Sequence, residues 1–215
     1  MTLKATLFVK KERVALTVWG WMCLFICFTL GVFACVANVD SFLSYSQPID
    51  ANILIVEGWV PDYVLKEAIE QFNRGRCELI VTTGGPLARG YYLSQHKTYA
   101  ELAAASLLKM GVPEDRVKAL PCPRVEKDRT RESALEVQRW LSENPKIVRL
   151  RLMTLGPHAR RSYLIYRKIL PSIYGLGVTS VPNEQYHPDT WWRTSAGVRE
   201  IMSEGVAYLY AWCRE

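Results

Sequence analysis

The amino-acid sequence predicts an α/β domain with a doubly wound, mostly parallel five-stranded sheet, preceded by one N-terminal transmembrane helix. Two observations lead to this prediction. The first is an uninterrupted apolar run near the N-terminus, and the second is a regular alternation of short apolar segments with longer segments of helical periodicity. Such an alternation is typical of parallel sheets that are covered by helices on both faces.

The apolar run covers residues 14–37, which are 24 consecutive residues without a charged side chain. As a helix it is ~36 Å long, enough to cross a hydrocarbon core of ~30 Å with some tilt. A buried core helix and a cleaved signal peptide are the alternatives. A core helix is amphipathic or shorter, and a signal peptide usually has an apolar stretch of about 7–15 residues. We therefore predict an uncleaved anchor over residues 14–38.

The charges around the apolar run predict its orientation. Residues 1–13 contain four basic side chains and one acidic side chain, a net charge of +3, whereas only Asp40 follows the run closely. By the positive-inside rule, residues 1–13 form a cytoplasmic basic tail and the domain lies on the other side of the membrane.

The rest of the chain divides into a linker and one domain. Residues 39–51 are polar and rich in turn formers, which predicts a linker before a domain over residues 52–215. Strands are predicted at residues 52–57, 79–83, 116–120, 147–154 and 176–181. Helices are predicted over residues 61–72, 94–110, 130–143, 156–170 and 190–212, with Ser94 and Thr130 as N-caps of the second and third.

Composition and missing motifs exclude several function classes. The net charge of the chain is +6, but half of it lies in the basic tail, and no basic stripe typical of a nucleic-acid binder is present in the domain. The glycine-rich loops that bind nucleoside triphosphates and dinucleotides are missing, and so is the nucleophile elbow of serine hydrolases. No cysteine and histidine spacing resembles a zinc site, so no metal is predicted.

Polar and glycine-rich residues follow the predicted strands. In open α/β sheets, ligands bind outside the carboxyl ends of the strands, where the strand order reverses. The candidate site residues after the strands are Glu57, Gly58, Thr83, Gly84, Gly85, Asp128, Thr130, Glu132, Thr154, His158 and Arg161. Of these, Glu57, Asp128, Glu132 and His158 have side chains that can transfer protons.

His158 and Arg161 are the foremost candidates for binding a ligand. His158 falls in the first turn of a predicted helix, where free N–H groups and the helix dipole favour an anion. Arg161 follows three residues later on the same side of the helix. Together they suit a phosphate or a carboxylate. Because the dipole disfavours a protonated imidazole, His158 is predicted to be neutral near pH 7.

The other candidates each have a structural alternative. Gly84 and Gly85 can turn the chain as well as admit a ligand close to the backbone. Thr130 suits a helix cap as well as a ligand contact. Asp128 and Glu132 fit a solvated pair among basic neighbours as well as proton transfer.

Four motifs follow one another in a fixed order along the domain. They are Thr83-Gly84-Gly85 after the second strand, Glu101 in the next helix, Thr130-x-Glu132-x-Ala134 after the third strand and His158-x-x-Arg161 after the fourth. In this order and spacing they resemble the YdcF-like (SanA/ElyC-like) family of bacterial envelope proteins over residues 52–210. The family carries Asn where Ser133 stands and Leu where Glu57 stands, so the site here lacks an amide and gains a carboxylate.

The resemblance implies a Rossmann-like domain that is tethered to the bacterial inner (plasma) membrane and lies in the periplasm or outside the cell. It implies a role in peptidoglycan or lipid-carrier biogenesis, with a small phosphorylated, carboxylated or lipid-linked ligand. It also implies a ligand-binding role for Glu101 and S-adenosylmethionine as a candidate cofactor.

Two functions from different classes follow. One is a ligand-binding envelope protein; if it is an enzyme, it is a hydrolase or transferase that acts on a phosphoryl or lipid-carrier substrate. The alternative is a non-catalytic scaffold that recruits envelope protein partners through its aromatic C-terminal helix. The aromatic side chains behind that alternative are Trp191, Trp192, Tyr208, Tyr210 and Trp212.

Overall fold

The computed structural model describes residues 16–75 and 77–214. It divides the chain into two compact units, Met1–Asn38 and Val39–Glu215. The predicted basic tail, residues 1–13, lies outside the described residues, as do the first two residues of the predicted anchor.

The apolar run forms one helix, α1, over Val18–Leu43. Among the described residues it is the one helix long and apolar enough to span a membrane. Its side chains up to Asn38 are largely exposed, so the described part of the chain does not bury them. The helix ends five residues later than the predicted anchor, because its last turn belongs to the second unit.

Five parallel strands form one sheet in the order β3-β2-β1-β4-β5. The strands are β1 Ile53–Glu57, β2 Leu79–Gly84, β3 Val117–Pro121, β4 Arg149–Leu155 and β5 Gly175–Val181. The predicted α/β class is confirmed, and the sheet is parallel throughout. The first strand lies at its centre and all five of its residues are buried, which explains its continuous apolar run.

Helices cover both faces of the sheet. They are α2 Asp62–Arg74, α3 Tyr99–Lys109, α4 Arg129–Glu143, α5 His158–Ile169 and α6 Ser195–Arg214. Side chains alternate between the two faces along β1. Ile53 and Ile55 pack with residues of α4 and α5, whereas Leu54 and Val56 pack with residues of α2 and α3. The domain therefore has two apolar cores, one on each face.

Two helix starts differ from the prediction. α3 begins at Tyr99 rather than after Ser94, because Thr98 and Glu101 form a capping box. Thr98 Oγ1 accepts a hydrogen bond from the Glu101 N–H at 3.2 Å, and the Glu101 carboxylate accepts one from the Thr98 N–H at 2.9 Å. The last predicted helix is divided into a short 3₁₀ helix, Pro188–Arg193, and α6.

The predicted linker is packed on the domain. In the last turn of α1, Asp40 accepts a hydrogen bond from the Tyr186 hydroxyl at 3.0 Å, and Leu43 is buried. Further on, Gln47 and Val178 exchange two backbone hydrogen bonds in an antiparallel bridge to the outer edge of β5. We call residues 44–49 the edge segment. The residues that the edge segment contacts are distant in the sequence. Its own composition therefore gives no sign of these contacts and resembles that of a linker.

Candidate functional site

A cavity of about 550 Å³ opens at the carboxyl ends of β1 and β2, beside the N-termini of α4 and α5. The chain passes from β1 to β2 on one side and returns to β4 on the other, so the strand order reverses here. Eight of the predicted site residues line this cavity: Glu57, Thr83, Gly84, Gly85, Asp128, Thr130, His158 and Arg161.

Glu57 lies on the wall of the cavity as the last residue of β1, and it is almost fully buried. Its carboxylate accepts hydrogen bonds from the Thr154 hydroxyl and, at 3.0 Å, from the Ser162 hydroxyl. Burial alone raises the pKa of Glu57, but the charge of His158 and these hydrogen bonds outweigh burial and hold the pKa below its usual value. Glu57 is therefore ionised at neutral pH.

His158 lies between two carboxylates. Its Nδ1 is 3.0 Å from Glu204 Oε1, and its Nε2 is 3.4 Å from Glu57 Oε2. The ring of Trp59 meets the imidazole edge-on, with 4.8 Å between the ring centroids. Burial lowers the pKa of His158, but the two carboxylates outweigh burial and raise it to about 9.

The prediction that His158 is neutral near pH 7 is therefore wrong. A helix dipole contributes about 0.3–1 kcal/mol at an exposed terminus. Two carboxylates in direct contact favour the imidazolium more strongly than the dipole disfavours it. Neither carboxylate could be placed beside His158 from local sequence, because Glu57 is 101 residues before it and Glu204 is 46 residues after it.

Arg161 and Glu204 form a bidentate ion pair. Arg161 Nε is 2.9 Å from Glu204 Oε2, and Nη2 is 3.1 Å from Oε1. Nη1 also donates to the Thr130 hydroxyl at 3.4 Å. Burial raises the pKa of Glu204, but His158 and Arg161 outweigh burial and lower it to about 2. Nη2 also lies 2.9 Å from His158 Nδ1, and both nitrogens are within hydrogen-bond distance of Glu204 Oε1.

The buried cluster formed by Glu57, His158, Arg161 and Glu204 is charge-balanced at neutral pH. The sequence predicted a neutral histidine donor and a charged arginine, both free to bind an anion. In the structure, each of these side chains already faces a carboxylate. We call these four residues the charged cluster. Free positive charge in the cavity must come from elsewhere on its wall.

The N-terminus of α4 supplies that charge. Lys127 and Arg129 line the cavity, and neither forms an ion pair within the described part of the chain. Asp128, in the left-handed region with φ 58°, occupies the cap position without capping the helix, and pairs instead with Arg214 at 2.9 Å. Thr130 is inside the first turn, so the prediction that it caps α4 is wrong. The first backbone N–H groups of α4 have no side-chain cap.

Gly84 ends β2 at the cavity with a φ of 151°, and a Cβ there would lie 2.8 Å from Tyr99 Cβ. This close approach brings α3 against the strand end and leaves the Gly85 backbone on the cavity wall. The two glycines therefore do both things that the sequence left open: they turn the chain, and they line the cavity.

Four predicted site residues do not line the cavity. Gly58 lies beneath α3, since a Cβ there would be 2.4 Å from the Tyr99 carbonyl oxygen. Glu101 completes the capping box of α3. Thr154 is buried and binds the Glu57 carboxylate, and Glu132 is half-buried on α4. Glu101 and Thr154 thus have structural partners in place of a ligand.

Other lining residues were not predicted as site residues. They are Trp59, Tyr99, Glu126, Lys127, Arg129, Ser133, Glu200 and Glu204. The two acidic residues of α6 had a detectable signal, because Glu200 and Glu204 are four residues apart and so share one helix face. They are the only acidic residues of a largely apolar helix, which is a pattern that points to a partner.

The comparisons with known proteins give no family. No protein-family model matches the chain. No curated protein matches it either. The fold and the site thus define an α/β domain with a cavity at the carboxyl edge of its sheet, and the charged cluster lies in the wall of this cavity. The resemblance to YdcF-like proteins stays a prediction that rests on its ordered motifs.

Proposed function

We propose that the protein is a membrane-anchored envelope protein whose α/β domain binds a small phosphorylated or carboxylated ligand in the cavity. The observation that carries this proposal is the uncapped N-terminus of α4, where Lys127 and Arg129 face the cavity without ion-pair partners. Backbone N–H groups, a helix dipole and two unpaired cations at one point suit an anionic group.

The charged cluster suits a different part of the ligand. Ionised Glu57 and Glu204 repel an anion, but their oxygens accept hydrogen bonds from hydroxyl groups. A ligand with an anionic group at α4 and hydroxyl groups nearer the cluster fits both halves of the cavity. Sugar phosphates and lipid-linked sugar phosphates have this chemistry, and S-adenosylmethionine also carries a carboxylate and ribose hydroxyls.

Proton transfer at neutral pH is not the role that suits the charged cluster. His158 holds its proton with a pKa of about 9, and Glu204 stays ionised with a pKa of about 2. The lining carboxyl group better suited to accept a proton is Glu200, because burial and the neighbouring Glu204 raise its pKa. If the protein is a hydrolase or transferase acting on a phosphoryl or lipid-carrier substrate, we assign the acid–base role to Glu200.

The site of action proposed for the domain is the outer side of the bacterial inner membrane. The apolar length of α1 supports an anchor, and the charges of residues 1–13 favour a cytoplasmic N-terminus. An anchored domain meets a lipid-linked ligand at high effective concentration. Peptidoglycan and lipid-carrier biogenesis are the envelope processes that the resemblance implies.

The proposal is tested by ligand-induced stabilisation of the full chain in detergent. The thermal midpoint is measured with inorganic phosphate, S-adenosylmethionine, nucleotides, sugar nucleotides and a short polyprenyl phosphate, because a ligand that binds the native state raises the midpoint. We expect at least one phosphorylated or carboxylated compound to raise it. If none does so at millimolar concentration, the ligand-binding proposal is wrong.

A matched pair of variants locates the binding site. Lys127→Ala/Arg129→Ala removes the two unpaired cations of the cavity, and Arg167→Ala/Lys168→Ala removes two exposed cations from the far end of α5. The same charge is lost in both. We expect the first pair to abolish the ligand-induced rise and the second to retain it. Equal loss in both would mean that net charge, rather than the cavity, governs binding.

The scaffold alternative now rests on fewer aromatic side chains. Trp191 is buried, and Tyr208 packs edge-on against the ring of Phe42. Trp192, Tyr210 and Trp212 remain exposed. Tyr210 and Trp212 on α6, and Trp192 on the 3₁₀ helix before it, remain available as a contact surface that is independent of the cavity.

A further inference from the structure

One face of α6 carries an apolar stripe that no part of the described chain covers. The side chains lie three or four residues apart, which places them on one side of the helix. They are Val198, Met202, Val206, Leu209 and Trp212, and they are 40%, 60%, 65%, 59% and 61% exposed. We call these five residues the α6 stripe.

The α6 stripe is separate from the domain core. The residues of α6 that face the domain are Gly197, Ile201, Glu204 and Ala211, all buried. No charged side chain falls within the stripe, since Arg199 and Arg214 lie to one side of it. A contiguous exposed apolar surface of this kind on a folded domain marks a contact surface.

The connection of α6 to the chain indicates what covers the stripe. Tyr208 of α6 packs edge-on against Phe42, with 5.5 Å between the ring centroids. Phe42 is four residues beyond Asn38, the last residue of the apolar unit. Four helical residues span ~6 Å. The chain directly after its apolar segment is therefore in contact with α6, through Phe42.

Arg160 strengthens this contact. Its guanidinium lies 3.9 Å from the centroid of the Phe42 ring and 4.5 Å from that of Tyr45, and its Nε donates to the Phe42 carbonyl oxygen. A cation held between two rings and a carbonyl oxygen restrains the segment at several points. The first residues of the second unit are therefore held against both α5 and α6.

The composition of α6 matches a helix at a lipid surface. Interfacial helices combine an apolar face with flanking basic side chains, and aromatic rings near the headgroups. Here Arg199 and Arg214 border the stripe on one side, Arg214 also pairs with Asp128, and Tyr210 and Trp212 lie near the C-terminal end of the helix.

We propose that the α6 stripe docks on the surface of the bilayer, with its apolar side chains at the boundary between headgroups and acyl chains. Docking would use one face of α6, while Glu204 on another face holds the charged cluster. The proposal requires α1 to be an anchor, but it does not require a ligand in the cavity. The docking proposal can therefore be wrong while the ligand-binding proposal is right, and the reverse.

The test uses the full chain in phosphatidylcholine nanodiscs, with and without phosphatidylglycerol. In a background lacking the native cysteines, an environment-sensitive fluorophore is attached after Met202→Cys, Val206→Cys or, as the matched control, Ser203→Cys. Ser203 is exposed on the same helix but lies off the stripe. Each variant is first required to keep the thermal midpoint of its parent.

Nitroxide groups on the lipid acyl chains then report contact with the bilayer. We expect the labels at positions 202 and 206 to be quenched severalfold more strongly than the label at 203, as a buried apolar face requires. Equal, weak quenching at all three positions would overturn the proposal. Crosslinking of position 202 to the same position of a second chain, without lipid quenching, would overturn it in favour of a dimer.

Discussion

Glu204 is the carboxylate on which both cations of the charged cluster converge. One of its carboxylate oxygens contacts His158, and both accept hydrogen bonds from the guanidinium group of Arg161. Taking four charges out of water costs several kcal/mol per ion, and close pairing offsets this cost only while every partner is present. Glu204 therefore fixes the positions of two side chains at the start of α5.

Replacing Glu204 should destabilise the protein and alter His158. In Glu204→Gln the amide removes the negative charge that faces two buried cations, which costs about 3 kcal/mol of unfolding free energy. The pKa of His158 should fall, since one of its two carboxylate partners is gone. Denaturant unfolding in detergent measures the first effect, and NMR titration of the imidazole measures the second.

Glu200→Gln is the control for this variant. Glu200 lies one helical turn earlier on α6 and lines the same cavity, and its pKa is raised rather than lowered. A raised carboxyl pKa means that the fold favours the neutral form, so the amide should cost little or slightly stabilise. Equal destabilisation by both variants would contradict the assigned role of Glu204.

The pH dependence of stability should reflect His158. Its pKa is about 9 in the folded chain and 6.5 as the ordinary value, so the fold favours the protonated form. This stabilisation is complete below pH 6.5 and is lost as the pH rises through 9, a change of about 3 kcal/mol for one uncoupled group. Urea unfolding across this range would measure it.

Two histidine variants identify the source of that dependence. His158→Gln should remove the loss of stability at high pH, whereas His187→Gln should retain it because His187 is exposed. A protein whose stability rose between neutral pH and pH 9 would contradict a protonated His158 in the native state.

At the scale of elements, the start of α3 depends on a reciprocal cap. Thr98→Ala removes the side-chain acceptor of the Glu101 N–H and should cost about 1 kcal/mol. Ser94→Ala alters the residue that sequence alone marked as the cap, and should cost only a few tenths because Ser94 lies outside the helix. Denaturant midpoints of the two variants distinguish the two caps directly.

The turn after β2 sets a limit on side-chain size at Gly84. Gly84→Ala forces a Cβ to 2.8 Å from Tyr99 Cβ at a φ of 151°, and should cost about 2 kcal/mol. Gly205→Ala is the matched control, because a Cβ there meets nothing within 4 Å and α6 gains about 1 kcal/mol of helix propensity. Thermal unfolding should therefore shift in opposite directions.

Elements of this fold were predictable to the extent that their signals are local. Each strand was predicted within two residues at either end, because each is a short, mostly apolar run between turn formers. The start of α3 was missed because Ser94 and Thr98 both suit a cap. Only the position of Glu101 relative to Thr98 distinguishes them, and that capping-box spacing was present in the sequence.

At the scale of the whole molecule, the sequence predicted the class of fold but not its arrangement. Five short parallel strands can be ordered in several ways, so the order β3-β2-β1-β4-β5 could not be predicted from the strands themselves. The same limit applies to the site. Eight candidates could be predicted to share one cavity because they lie at or after the carboxyl ends of strands. Glu204 could not, because it belongs to the C-terminal helix α6.

The edge segment also belongs to this scale. Gln47 exchanges backbone hydrogen bonds with Val178, and Arg151 Nε donates to the Ile49 carbonyl oxygen at 2.7 Å. Gly177 leaves no room beneath it, since a Cβ there would lie 2.7 Å from Ile49 Cγ1. Gly177→Ala should therefore loosen the segment and speed hydrogen exchange at the Val178 amide. Gly175→Ala, where the nearest atoms are 3.7 Å away, should leave that exchange unchanged.

An unpaired sheet edge invites aggregation. The free edge of β3 is discouraged from adding a strand by Lys118 and Pro121, whereas β5 is composed of glycine, small and apolar residues and carries no charge. Until the edge segment is in place, β5 therefore offers a template to any extended chain nearby. Chains anchored in one membrane, as proposed for this protein, would meet often. The few residues between α1 and the sheet would then decide whether neighbouring molecules remain separate or join edge to edge.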